Sequence, residues 1–224
     1  MTNPDESCLK RRGRPRSFDR AAALEQAMLL FWRQGYAATS IADLTEAMGI
    51  SPPSLYAAFG DKERLFLEAL DRYQGDVLSS AALIMARAPS ARAAVEAVLR
   101  ATADRLTRPD LPRGCMAVTS AMNCGEELSH LAEELVRRRK ASLQRLRDRL
   151  DRALADGELP DGTDTAALAT FYQTVAQGMT IQARDGASRD ELLATVEAAM
   201  RAWPGKNEAQ HDPQPADATG QAGR

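Results

Sequence analysis

The sequence has few of the side chains on which catalysis and metal binding most often depend. Its 224 residues include only two histidines, His130 and His211, and three cysteines. A histidine-dependent triad or a His-rich metal site is therefore not expected. The cysteines lack the CxxC spacing of a structural zinc site, and no phosphate-binding glycine loop occurs. We expect no enzymatic activity, no metal and no cofactor.

Long hydrophobic runs are also absent. No apolar run approaches the ~20 residues that a membrane helix requires, and the polar, then basic N-terminus has no apolar segment of the kind found in secretory signals. Hydrophobic residues make up 44% of the chain and charged residues 27%, as in globular proteins generally. These features predict a cytoplasmic protein with reduced thiols and no membrane partner.

What the sequence does contain is apolar residues at helical spacing along most of its length. The pattern predicts an all-α fold, with a break at the RPDLPRG run, where two prolines interrupt the helical spacing. We expect helices over about 19–34, 39–48, 51–59, 61–85, 91–106, 115–123, 126–156, 164–184 and 189–203. Trp32 lies beside the apolar stripe of the first helix and is interpreted as a packing residue.

The stretch from residue 39 to residue 62 predicts two short helices joined by a tight turn. Gly49 permits the left-handed backbone that ends the first helix. Ser51 can cap the second helix, whose Leu55 and Phe59 point inward. The opposite face carries small residues, a hydroxyl and a phenol, which suits a DNA groove. The two-helix pattern alone fits either a helix-turn-helix or an ordinary αα corner.

The flanking residues favour the helix-turn-helix over the αα corner. The run FWRQGYAATSIADLTEAMGISPPSLYAAFGDKERL, within residues 27–65, resembles the N-terminal DNA-binding domain of the tetracycline-repressor (TetR) family of bacterial regulators. The departure is Thr45, where that family usually has alanine. The resemblance implies a helix-turn-helix DNA-binding domain over 17–62 and a larger helical ligand-binding and dimerisation domain over 63–203. We further expect a flexible basic arm over 1–16 and a disordered tail over 204–224.

A DNA-contacting surface follows from the motif and from the resemblance. The run KRRGRPR places five cations in seven residues before the first helix. It fits either insertion into a narrow minor groove or a solvated tail that touches phosphates. We expect base edges near Pro53, Ser54 and Ala57, and phosphates near Thr39, Tyr56 and Lys62. The full predicted set is Arg14, Arg16, Thr39, Ser40, Pro52, Pro53, Ser54, Tyr56, Ala57 and Lys62.

Two further surfaces are expected in the larger domain. Met and aromatic residues at helical spacing are candidate ligand contacts, although the same spacing is typical of plain core. These are Met116, Thr119, Met122, Phe171, Tyr172 and Met179. The last two helices resemble the family's dimer interface, or else complete the monomer core. Their candidate residues are Phe171, Val175, Gly178, Met179, Leu192, Val196, Met200 and Trp203.

The function expected from these features is that of a DNA-binding transcriptional regulator. It would be a ligand-responsive repressor that binds a palindromic double-stranded operator as a homodimer and responds to a small-molecule inducer. Cys115 offers an alternative signal, because a helix N-terminus and Arg113 nearby favour a thiolate, and Cys124 follows as a second thiol. Oxidation or alkylation of Cys115 would then be the inducing event. A helical protein-interaction module is the alternative from another class.

Overall fold

The computed structural model describes residues 18–120 and 129–205, and within these ranges every regular element is helical. The predicted all-α fold is confirmed. The helices are α1 (Arg20–Gln34), α2 (Ile41–Met48), α3 (Pro52–Phe59), α4 (Lys62–Arg87), α5 (Ala91–Leu106), α6 (Met116–Thr119), α7 (Ser129–Ala155), α8 (Thr165–Arg184) and α9 (Arg189–Met200).

Short polar side chains set the starts of most of these helices. Ser51 caps α3, as predicted. Asp61 caps α4, and Ser188 forms a reciprocal capping box with Glu191 at the start of α9. At the other end, α9 stops at Met200, whereas the sequence predicted residue 203. Pro204 accounts for the difference, because the residue before a proline is disfavoured in the helical region.

The first hydrophobic core joins α1, α2 and α3 to the first half of α4. Phe31 of α1 meets Phe66 of α4 edge to face, with ring centroids 5.2 Å apart, and Tyr36 contacts both rings. Met116 and Ala117 of α6 and Leu131 and Leu135 of α7 also pack into this core. The first core therefore extends beyond residue 62, where the sequence placed a domain boundary.

The second core lies among α5, α8, α9 and the second half of α7. Val95 and Leu99 of α5, Leu150 of α7 and Tyr172 of α8 are buried in it. Since α7 contributes Leu131 and Leu135 to the first core, this one helix spans both cores.

A buried hydrogen bond ties the first core to the segment between α5 and α6. Trp32 Nε1 donates to the carbonyl of Gly114 at 3.1 Å, and the indole ring packs edge to face on Tyr73 with centroids 4.8 Å apart. Trp32 is 4% exposed, which confirms its interpretation as a packing residue. None of the described helices is both long and apolar enough to cross a membrane.

Candidate nucleic-acid interface

The entrance to α2 is fixed by hydrogen bonds that use its own polar side chains. Ser40 Oγ accepts from the Asp43 N–H at 3.1 Å, and Asp43 Oδ2 accepts from the Ser40 N–H at 2.8 Å. The Ser40 hydroxyl also donates to Asp43 Oδ2 at 2.7 Å. This bond, followed by the one from the Ser40 N–H, lowers the pKa of Asp43. Ser40 remains exposed at this end of the helix, as a residue facing DNA must.

Thr39 does not fit the predicted role of a phosphate contact through its side chain. It is 1% exposed, and its hydroxyl donates to the carbonyl of Gly35 at 2.7 Å. This hydroxyl closes the α1–α2 connection, and the phosphate contact of Thr39 stays a prediction. Burial could not be anticipated from the position of Thr39 in the sequence, because it depends on how the connection folds back.

The turn between α2 and α3 has the geometry that the sequence predicted. Gly49 adopts φ +64° and ψ 34°, and the Ile50 N–H closes the turn by donating to the carbonyl of Thr45 at 3.1 Å. The Thr45 hydroxyl donates to carbonyls of its own helix, at Ile41 and Ala42, so it leaves no polar group unpaired between the helices.

The second short helix, α3, presents one face to solvent and buries the other. Leu55 and Phe59 are 0% and 5% exposed and anchor α3 in the first core. On the other face Tyr56 is 49% exposed, and the Ser54 hydroxyl lies 2.9 Å from that of Ser51. The predicted contact residues that share this face are Pro52, Pro53, Ser54, Tyr56 and Ala57.

Lys62 is held in place before any DNA binds. Its Nζ lies 4.3 Å from the centroid of the Tyr36 ring, in a cation–π contact. Partial burial lowers the pKa of this ammonium. Lys62 occupies the first position of α4, immediately after the cap Asp61, where a cation opposes the helix dipole unless an anion approaches. Arg14 and Arg16 lie outside the described residues, so the arm stays a prediction.

The candidate ligand contacts turn out to occupy several different environments. Met116 and Met179 are fully buried in the two cores, Thr119 is 4% exposed, and Phe171 is 40% exposed on the outside of α8. Met122 and Cys124 lie outside the described residues. Of the described candidates, Tyr172 alone lines the cavity between α4, α5, α7 and α8. Met116, Thr119, Phe171 and Met179 do not line this cavity, and a ligand contact at these residues stays a prediction.

The cavity lies between α4, α5, α7 and α8 and has a volume of about 730 Å³. The second half of α4, for which the sequence predicted no contact residue, lines it with Leu78, Ala81, Ala82, Met85 and Ala86. The run of alanines there is the sequence signal that could have revealed it, because small side chains leave space beside a neighbouring helix.

The predicted dimer surface is divided by the structure into buried and exposed residues. Four of its members fill the core of the single chain and have no surface left for a partner. They are Met179, Leu192, Val196 and Met200, between 0% and 5% exposed. These residues pack in the second core, together with buried residues of α5 and α8. Phe171, Val175, Gly178 and Trp203 are exposed or partly exposed.

Cys115 is partly buried beside the first core. The Tyr73 hydroxyl is next to it and accepts from Arg105 Nη1 at 2.6 Å. Burial, and then the neighbouring Cys115 thiol, raise the pKa of Tyr73 well above its usual value. Arg113, expected to activate the thiol, instead donates to the carbonyls of Ala183 and Ala187, and α6 has only four residues.

Two family models match most of the chain. Residues 23–69 match the model of bacterial regulatory proteins of the tetR family, and residues 91–203 match a tetracyclin repressor-like C-terminal domain. The HTH-type transcriptional repressor ComR of Escherichia coli (strain K12) is 38% identical over 206 residues, covering 91% of this chain and 98% of ComR. The repressor BdcR of the same strain is 30% identical over 185 residues, covering 82% and 88%.

A solved structure with the same fold contains DNA. It is a cysteine mutant of the TetR family transcriptional regulator CifR, complexed with 26bp double-strand operator DNA. CifR is 48% identical to this chain, and the two superpose with a TM-score of 0.83 over 86% of this chain and 100% of CifR.

Replacing Lys62 tests the predicted phosphate contact. Lys62→Ala should weaken binding to every DNA sequence and reduce the slope of log affinity against log salt by about 1, because one fewer phosphate is neutralised. Lys140→Ala removes the same charge from an exposed position on α7 and should leave the slope unchanged. Titration of labelled DNA at several salt concentrations provides the measurement. Equal slopes for Lys62→Ala and the unmodified chain would exclude the contact.

Proposed function

The chain belongs to the TetR family of bacterial regulatory proteins, and we propose that it is a cytoplasmic repressor that binds a palindromic operator as a homodimer. The observation that carries this proposal is the face of α3 that is left exposed beside a closed helix-turn-helix turn. ComR and BdcR, both called repressors, support the sign of regulation. A small molecule in the cavity would act as the inducer.

We propose that the exposed side of α8 forms the dimer contact. Phe171, Val175 and Gly178 lie at i, i+4 and i+7, on one side of that helix. Phe171 is one of the few large hydrophobic side chains exposed among the described residues. Gly178 has no atom within 4 Å of the place where a Cβ would stand, so a second helix can approach closely. An isologous contact would bring two copies of this stripe together.

We propose that the segment over residues 107–115 carries the signal between the cavity and α1. The Gly114 carbonyl accepts the hydrogen bond from Trp32. The adjacent Arg113 donates in the other direction, to the carbonyls of Ala183 and Ala187, at 3.3 Å and 3.1 Å. Gly114 has φ +89°, and a Cβ there would lie 2.7 Å from Arg184 Cγ. Because the fit against α8 is this tight, a shift of α8 would be passed to α1.

Modification of Cys115 is a second candidate signal, favoured by its position in the same segment. An added group on this partly buried thiol, beside the Tyr73 hydroxyl, would push α6 away from the first core. The operator would then be released by the same displacement. Arg113 gives no support to a specially activated thiol, since it faces α8.

Introducing a charge into the exposed stripe of α8 tests whether this stripe forms the dimer contact. Phe171→Arg should produce monomers, because two like charges would meet near the two-fold axis. Operator affinity should fall by about 100-fold, since two linked helix-turn-helix units bind DNA more tightly than one. Leu83→Arg changes a comparably exposed side chain on α4 and should leave the dimer intact. Sedimentation velocity decides the matter, and a Phe171→Arg dimer would rule out this interface.

Removing the Trp32 N–H donor tests whether the 107–115 segment carries the signal. By linkage, operator binding must alter α8 if α8 alters operator binding. Hydrogen exchange over residues 176–187 should therefore change when DNA binds. Trp32→Phe removes the bond to Gly114, worth about 1 kcal/mol, and should greatly reduce this change. Trp203→Phe, at the other tryptophan, should preserve it. An undiminished change in Trp32→Phe would show that the signal takes another route.

Alkylation with N-ethylmaleimide tests the thiol signal. If modification of Cys115 releases the operator, affinity should fall about tenfold or more, equivalent to about 1.4 kcal/mol. Cys115→Ser should abolish the response, whereas a chain with both Cys8→Ser and Cys124→Ser should keep it. A response that survives in Cys115→Ser, or that is missing from the unmodified chain, rejects Cys115 as the sensor.

A further inference from the structure

The cavity has an apolar wall that is supplied by two helices. α4 contributes Leu78, Ala81 and Met85, and α5 contributes Val95, Val98 and Leu99. Burying apolar surface against such a wall is favourable by about 25 cal/mol per Å². The volume of about 730 Å³ is within the range of small-molecule sites. Most of a bound molecule must therefore be apolar.

The opposite side of the cavity is charged, but the charges cancel. Its lining contains three arginines and three carboxylates, namely Arg145, Arg149, Arg152, Asp148, Asp156 and Glu158. A ligand with a net charge would find no excess of the opposite sign among these groups. Burying such a charge without compensation is costly.

The least exposed of these charges are already satisfied within the protein. Arg149, with 14% of its side chain exposed, pairs with Glu158 at 3.1 Å. Glu158 also accepts from the backbone N–H of Ala91. Burial opposes ionisation of Glu158, but these two partners outweigh it, so its pKa lies below the usual value. The pair therefore stays ionised and neutral overall, and neither member is free to hold a ligand charge.

One polar side chain on α8 faces the cavity without an internal partner. The Tyr172 hydroxyl is already used, since it donates to the carbonyl of Ala199 at 3.3 Å. Gln173 also lines the cavity, and its side-chain amide makes no hydrogen bond to any described residue. An amide both donates and accepts, so it can meet a hydroxyl, a carbonyl or an amide of a ligand.

We propose that the cavity binds an uncharged, largely apolar molecule whose polar group is hydrogen-bonded by Gln173. This inference rests on the proposed function, in which the cavity is the regulatory site. Gln173 is then the residue that determines which polar end is accepted and how the molecule is oriented. Its position on α8 also places the ligand against the helix that Arg113 and Gly114 contact.

Calorimetry with four probes of equal chain length tests the ligand class on the full-length protein. 1-Octanol should bind about tenfold more tightly than octanoate or octylammonium. 1-Chlorooctane should bind more weakly than 1-octanol, because its chlorine cannot replace the hydroxyl in a hydrogen bond. If either ion binds as tightly as 1-octanol, or if no probe binds to protein that still retains DNA, the inference is overturned.

Variants of Gln173 test the residue itself. Gln173→Met should weaken 1-octanol about fivefold, the value of one net hydrogen bond, and leave 1-chlorooctane unchanged. Gln173→Glu should bind octylammonium more tightly than octanoate. It provides a second measurement if Gln173→Met is unstable. Gln182→Met, on an exposed part of α8 outside the cavity, is the matched control. Equal loss for both neutral probes in Gln173→Met would contradict the assigned hydrogen bond.

A mobility-shift assay separates this inference from the proposed function. Binding of 1-octanol with release of DNA supports both. Binding of 1-octanol without release supports the ligand class and contradicts regulation through the cavity. Absence of 1-octanol binding, with normal DNA retention, overturns the ligand class alone.

Discussion

The orientation of the exposed, DNA-facing side of α3 depends on how the helices around it hold α3. With eight residues, α3 is too short to be stable alone, and it buries only Leu55 and Phe59. Arg20 of α1 braces it from behind, with its guanidinium 4.4 Å from the Phe59 ring centroid and bonded to the carbonyl of Ala58. The same guanidinium pairs with Glu68 of α4. The direction in which α3 points is therefore set by α1 and α4 together.

This constraint connects DNA binding to the rest of the molecule. The first half of α4 is buried in the first core, and its second half lines the cavity. A separate set of contacts joins the C-terminal end of α8 to α1, through the 107–115 segment and Trp32. A molecule in the cavity touches both α4 and α8, so it contacts the two elements that lead to the base of α3. Small displacements of α4 or α8 would change the spacing between the two α3 helices of a dimer.

The sequence predicted those parts of the fold that depend on local chemistry. Gly49 and the caps at Ser51 and Asp61 act within a few residues, so their roles follow from the chain itself. The sequence left open whether the last two helices form a dimer contact or complete the monomer core, because an apolar helix face looks the same whether α5 or a second copy covers it. Leu192 and Val196 are covered by their own chain. The cavity was missed for a related reason, since it is space left between helices that are distant in sequence.

The most direct test of the central claim is footprinting of the full-length protein on DNA fragments that it retains from its source genome. If α3 is the reading element and two copies act together, hydroxyl-radical cleavage should show two symmetric protected patches. Their centres should lie about 34 Å apart, or a multiple of it, along one face of the duplex. A single protected patch, or no protected site on any retained fragment, would contradict the account.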